Sequence, residues 1–426
     1  MESFLQLTTD ELQKKKFSLE KDYKEFQSRN LKLDMTRGKP SPEQLDISNE
    51  MLSLPGRDRY KTENGTDSRN YGGVEGIPEM RRFFAEYLGL EEEEIIIGGN
   101  SSLSIMHDTV VRALMFGVPD GSQPWKDRRG ITFLCPSPGY DRHFAICEHF
   151  GIKMATVAMD ENGPDMDAVE RLVQMDENIK GIWCVPKYSN PTGIIYSDEV
   201  VKRLAKMKCA APDFRIFWDN AYAVHHLGYG EDALMNILHA CIDAGNPNRP
   251  LIFASTSKIT FAGAGIAAMG ASKVNIQDAI NHLSMQTIGP DKINQLRHLT
   301  FIKDMKGLKE IMNKHAGLLR PKFDAVDEVL SRELEGTHTA SWSKPRGGYF
   351  VSLDTLDGCA KRVVALASEA GVKLTGAGAT FPYKKDPEDR NIRISPSLPS
   401  LKDIRLAMEC LSICIKLASV EKLLES

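Results

Sequence analysis

No stretch of this 426-residue chain approaches the roughly 18 consecutive apolar residues that a membrane helix needs. The N-terminus is charged and lacks the apolar segment of a secretory signal. No charge of one sign accumulates: the net charge of −4 is spread along the chain, so no basic face suggests nucleic acid. The eight cysteines include no C-x-x-C pair, and Cys410 and Cys414 share a helix face with apolar neighbours, as small core residues do. No glycine-rich loop runs into Gly-Lys-Ser/Thr, which excludes a nucleoside-triphosphate loop, and Gly263-x-Gly265 lacks the G-x-G-x-x-G spacing of a dinucleotide fold. There is no internal repeat or low-complexity tract. These absences leave a reduced, cytoplasmic, metal-free protein with no membrane or nucleic-acid partner. Its ordinary composition (42% hydrophobic, 26% charged) suits one or two large folded domains.

What is present centres on Leu251-Ile252-Phe253-Ala254-Ser255-Thr256-Ser257-Lys258. Four apolar residues read as a buried strand that ends in three hydroxyls and a lysine. A small, glycine-rich turn follows at Gly263-Ala264-Gly265. An ammonium between apolar segments is costly unless it is used, and a partly desolvated lysine amine can deprotonate and attack a carbonyl.

Taken in order, Thr8 and Glu11 stand at capping-box spacing before a helix reaching about Ser28. Leu33 to Pro40 is strand-like and broken at Gly38-Lys39-Pro40, where backbone could come close to a ligand. Pro78 opens a helix with Met80, Phe83, Phe84 and Leu88 on one face. Glu94 to Ile97 is a short strand that meets Gly98-Gly99-Asn100-Ser101-Ser102 and then a helix, an arrangement that binds phosphate through backbone N–H groups.

Strand and helix signals then alternate. Strands are predicted at Ile131 to Cys135, Met154 to Ala158, Gly181 to Val185, Ile216 to Trp218 and Leu251 to Ala254. Helices are predicted at Asp141 to Phe150, Asp167 to Met175, Ser197 to Met207 and Asp232 to Ala244. The alternation implies an α/β fold: a mostly parallel sheet flanked by helices, with ligands beyond the carboxyl ends of its strands. Residues 290 to about 332 read as long helix, Gly347 begins a smaller α+β segment, and Leu401 to Leu417 is a closing amphipathic helix.

These pieces together resemble fold-type I pyridoxal-phosphate (PLP) enzymes, specifically class I/II aminotransferases in a divergent aspartate aminotransferase branch. The resemblance runs from Gly38 to Arg393. It rests on Tyr71 with Gly76, Ser101-Ser102, Pro136-Ser137-Pro138-Gly139-Tyr140, Ser189-Asn190-Pro191-Thr192-Gly193, Asp219-Asn220-Ala221-Tyr222, Ser255-Thr256-Ser257-Lys258 and Arg393. It implies a large PLP-binding domain over 51–325 and a small domain built from 1–50 and 326–426.

In that setting Lys258 would hold the cofactor aldehyde as a Schiff base and move the substrate proton. Asp219 would keep the pyridine nitrogen protonated. Asn190 and Tyr222 would hydrogen-bond the phenolate oxygen, Tyr140 would stack on the ring, and His143 would orient the aspartate from behind. Ser101, Ser102, Ser255 and Ser257 would bind the phosphate, with Tyr71 entering from a second subunit of a homodimer. Arg393 would pair with the substrate α-carboxylate, near Gly38 and Asn190.

Two departures stand out. Where family members carry an arginine against the phosphate this chain has Ile266, and no arginine occurs from 259 to 296. The comparable stretch Ser284 to Pro290 also lacks the arginine that usually binds a distal carboxylate. Arg142 is the expected substitute, with Arg37 and Lys39 in reserve. The expected reaction is transfer of an amino group from an amino acid, aspartate foremost, to 2-oxoglutarate. The competing readings are a PLP-dependent C–S β-lyase and a non-catalytic PLP-binding regulatory domain.

Overall fold

The computed structural model describes residues 2–425 apart from Ser122 and Arg129. Among the described residues an eight-stranded sheet forms the centre. Its strands are β1 (Ile95–Ile97), β2 (Thr132–Ser137), β3 (Lys153–Asp160), β4 (Gly163–Pro164), β5 (Ile179–Cys184), β6 (Arg215–Asp219), β7 (Pro250–Ser255) and β8 (Ala267–Ala271). They lie in the order β1-β8-β7-β6-β5-β2-β3-β4. From β7 to β3 the neighbours run parallel. β8 is antiparallel between β7 and β1, and β4 turns back antiparallel on β3.

The pairing follows from side-chain alternation. Leu134, Ile182, Ile216 and Ile252 point to one face, where they join Val169, Val201 and Leu204 of the covering helices. Their chain neighbours Phe133, Trp183, Phe217 and Phe253 point to the other, against Met106, Val110 and Cys147. Strands apolar on both faces need cover on both, which parallel crossover helices provide.

The chain ends meet in a second core. Leu12, Leu19, Tyr23 and Phe26 of helix Thr9–Ser28 pack with Val326, Val329 and Leu330 of helix Met305–Leu334 and with Ile404, Met408 and Leu411 of helix Leu401–Glu425. The expected capping box is formed, with the Thr8 amide donating to Glu11 Oε2 at 2.8 Å and the Glu11 amide to Thr8 Oγ1 at 3.4 Å. A three-stranded antiparallel sheet, Ala340–Trp342, Val351–Thr355 and Asn391–Ile394, lies on this side, and Leu33–Asp34 pairs parallel with Val372–Lys373.

Several expectations need correction. β8 went unpredicted: Ala-Ala-Met-Gly-Ala has no β-branched residue, and only its place between β1 and β7 makes it a strand. The long helix predicted over 290–332 is two, Lys292–Ile302 and Met305–Leu334. Lys303, at φ 71°, ends the first, and Asp304 caps the second by accepting from the Gly307 amide at 2.8 Å. The helix expected from Asp232 begins at Ile237, where Asn236 caps it, because Asp232 is held instead by Arg346 at 3.0 Å. Among the described residues no helix is long and apolar enough to cross a membrane.

Candidate active site

β2, β6 and β7 end on the same side of the sheet, and the residues just past them bound a cavity of about 610 Å³. Lys258, Asp219, Tyr222, Tyr140, Asn190 and Arg393 all line it. So do Ser101, Ser102, Ser255 and Ser257, and at the rim Arg37, Gly38 and Arg142. Tyr71 is not among them; its side chain is 82% exposed on the outside of the chain. His143 stands behind the cavity rather than on its wall.

Asp219 closes β6 and is buried. His143 Nε2 lies 3.0 Å from its Oδ2, and the imidazole is itself fixed flat on Trp183 (centroids 4.4 Å apart, planes 12° apart). The other carboxylate oxygen, Oδ1, is buried without a hydrogen-bond partner. An orphaned carboxylate oxygen in an enclosed site is a vacant acceptor for a cationic N–H.

Lys258 follows the end of β7. Burial lowers its ammonium pKa, and the charge of Asp219 partly offsets this. Its Nζ lies 4.9 Å from the centre of the Tyr222 ring. Burial, joined by the neighbouring Tyr140 and the Asp219 carboxylate, pushes the Tyr222 hydroxyl well above its ordinary pKa, so it remains a donor. Tyr140, just past β2, is pushed up mainly by burial as well.

The lysine turn is held by backbone and by two hydroxyls. The Thr256 amide donates to the Ile266 carbonyl and the Ile266 amide to Thr256 Oγ1, both at 2.8 Å. Ser257 Oγ donates to the Asn100 carbonyl at 3.1 Å, tying the turn to the loop before helix Ser102–Phe116. Ile266, at the position where relatives were expected to carry an arginine, is buried in an apolar cluster with Ile77, Ile97 and Ala254. The turn Gly263 to Gly265 does not line the cavity. Its carbonyls are taken by Asn100 and Asn294, and a Cβ on Gly265 would come 3.2 Å from the Ser257 backbone.

Arg393 sits in Asn391–Ile394 and is buried. Its Nη1 donates to Asp141 Oδ1 at 2.7 Å and to Asn190 Oδ1 at 3.4 Å, and its guanidinium lies 5.0 Å from the centre of the Phe350 ring. Gly38 lets that ring approach: a Cβ there would come 2.3 Å from Phe350 Cζ. Sequence reasoning missed Asp141, which reads only as the first residue of a helix, and Phe350, whose neighbour Gly38 was the one available signal. Arg142 and Arg37 are exposed at the rim.

A lysine of lowered pKa, a carboxylate with one spare oxygen, hydroxyls at a helix N-terminus and a buried arginine together fit pyridoxal phosphate. They define a fold-type I, PLP-dependent enzyme. The Aspartate amino-transferase family matches residues 7–426. An aspartate aminotransferase of Corynebacterium glutamicum is 47% identical over 95% of this chain and 93% of its own. A Mycolicibacterium smegmatis relative is 54% identical over 99% of both chains. The crystal structure of an aspartate transaminase of Corynebacterium glutamicum superposes with a TM-score of 0.97 at 46% identity, covering 99% of each chain. The chain belongs to the aspartate aminotransferase family and is an aminotransferase.

Proposed function

We propose that the enzyme moves the amino group of aspartate to 2-oxoglutarate. The observation that carries this reading is the charge on the cavity wall: one buried arginine, Arg393, deep in the site, with Arg37, Lys39 and Arg142 at the rim. Two cationic poles suit substrates with a carboxylate at each end, which both aspartate and 2-oxoglutarate have.

When bound, pyridoxal phosphate supplies an aldehyde for the amino group and a ring that accepts the electrons left when the Cα–H bond breaks. Lys258, neutral more readily because it is buried, takes the Cα proton and returns it on the other side of the transfer. Asp219 would keep a proton on the ring nitrogen with its free oxygen Oδ1, while His143 holds Oδ2 and fixes the carboxylate plane. Asn190 and Tyr222 would donate to the ring oxygen, and Tyr140, on the same cavity wall, would shield the ring from water. Ser101, Ser102, Ser255, Ser257 and the first amides of helix Ser102–Phe116 would receive the phosphate. Arg393 binds the α-carboxylate and orients the Cα–H bond.

Tyr71 completes the phosphate site of a second copy, making the enzyme a homodimer with shared sites in the cytoplasm. Its exposure on its own chain supports this. The joint packing of residues 1–50 with 326–426 supports reading these as one small domain beside a large domain of 51–325.

The test is a half-reaction screen in which purified holoenzyme is mixed with single amino acids while cofactor absorbance is followed. Aspartate and glutamate should convert it fastest, and 2-oxoglutarate should reverse the change. Conversion by alanine or aromatic amino acids alone would refute the dicarboxylate reading. Pyruvate released from a cysteine conjugate would favour the β-lyase.

A further inference from the structure

Arg393 already holds a carboxylate. Asp141 Oδ1 lies 2.7 Å from its Nη1, and this ion pair joins residues 252 apart in sequence. Both residues line the cavity. The surroundings of the guanidinium are close on its other sides. Its Nε is buried without a partner and out of reach of solvent, its Nη2 is 3.4 Å from Thr375 Oγ1, and Phe350 lies beside its plane. A carboxylate that pairs with both terminal nitrogens must meet Nη1, which Asp141 already holds.

We propose that Asp141 is an internal stand-in for the substrate α-carboxylate, a latch that each substrate must displace from Arg393. This rests on the assignment of Arg393 to that carboxylate. Two observations make the latch movable. The Asp141 side chain is 36% exposed while that of Arg393 is 8% exposed, so the aspartate can turn to water and the arginine cannot. Asp141 is also the first residue of helix Asp141–His149, where the helix dipole stabilises a carboxylate even after it has left the guanidinium. Two carboxylates cannot share one guanidinium edge without repulsion, so ligand binding and the Asp141 contact exclude each other. The latch satisfies the buried arginine between turnovers. It also weakens every carboxylate ligand by a common factor, so a weakly held monocarboxylate fails to dwell in the site.

The test is calorimetric titration of the holoenzyme with propionate and with succinate, which bind without reacting, for wild type, Asp141→Asn and Asp141→Glu. Asn keeps the shape but offers Nη1 only a neutral acceptor, roughly half as strong. Asp141→Asn should bind both ligands about 5- to 10-fold more tightly, by the same factor, because the latch acts on the end they share. Asp141→Glu, which restores the charge, should stay close to wild type. Unchanged or weaker binding in Asp141→Asn would overturn the proposal and make Asp141 an anchor for Arg393. So would a gain confined to succinate, which would place Asp141 against the distal carboxylate. Arg393→Leu separates the two levels of inference: if it binds propionate as well as wild type does, the assignment of Arg393 itself fails.

Discussion

His298 is buried against the turn that carries Lys258. Its Nδ1 is 2.9 Å from the Asn294 carbonyl oxygen, which can only accept, so Nδ1 carries the proton of the neutral ring. Nε2 is then the acceptor for the hydroxyls of Thr260 at 2.9 Å and Thr256 at 3.1 Å. Burial lowers the imidazole pKa from 6.5 to about 4. The unfolded chain therefore takes up a proton near 6.5 and the folded chain only near 4, so acid favours the unfolded state. The stabilising effect of this neutral histidine is complete above 6.5 and lost as pH falls toward 4. Each pH unit inside that window is worth about 1.4 kcal/mol, and by about pH 5 the loss reaches about 2 kcal/mol per chain. Urea unfolding of the holoenzyme, followed by tryptophan fluorescence at about pH 7.5 and about pH 5, reads this directly. Wild type should lose about 2 kcal/mol more than His298→Gln, which keeps a donor for Asn294 but does not titrate. Equal losses in the two proteins would refute the reasoning.

Other outcomes follow from the same geometry. Asp219→Ala should retain bound cofactor and lose transamination by roughly 3–4 kcal/mol of transition-state stabilisation; a near-normal rate would reduce Asp219 to a structural residue. Arg142→Leu, at an exposed rim position, should lower kcat/KM for aspartate and glutamate by roughly 1–3 kcal/mol and leave alanine nearly unaffected, whereas equal losses would show a general defect. Lys180→Met would strand Asp213, which lies 2.5 Å from the ammonium and, among the described residues, is otherwise hydrogen-bonded through its side chain by the Trp125 indole N–H at 3.0 Å. Both charges are buried, so unfolding should become easier by roughly 3–5 kcal/mol, and a shift below about 1 kcal/mol would show that water reaches the site. Borohydride reduction of the holoenzyme followed by peptide mapping should place the pyridoxyl group on Lys258, and label on another lysine would end that assignment.

Much of this could be read locally. The apolar run of β7 ending in Ser255-Thr256-Ser257-Lys258 declared both its burial and its unusual lysine. The parallel strands β6, β5 and β2 are equally plain, because parallel strands covered on both faces are written as near-continuous apolar runs. The capping box at Thr8 and Glu11 and the turn glycines at 98 and 99 are signals only a few residues long. Short-range patterns of this kind depend on backbone geometry that neighbouring residues impose on each other, and so they survive in a bare sequence.

What the sequence by itself determined is thus the alternating α/β order and the identity of the chemically distinctive side chains. Tertiary structure alone decided which of those side chains touch. The His143 imidazole reaches Asp219, 76 residues away, because β2 and β6 both end on the cavity side of one sheet. β8 is a strand only because β1 and β7 offer hydrogen bonds on either side, which overrides the weak preference of Ala-Ala-Met-Gly-Ala. Ile266, conspicuous in the sequence as a missing arginine, is a buried side chain whose backbone locks Thr256. Asp141 reads as an ordinary helix start until the fold brings Arg393 to it. Burial and partnership are properties of packing between distant segments, and no local pattern carries them.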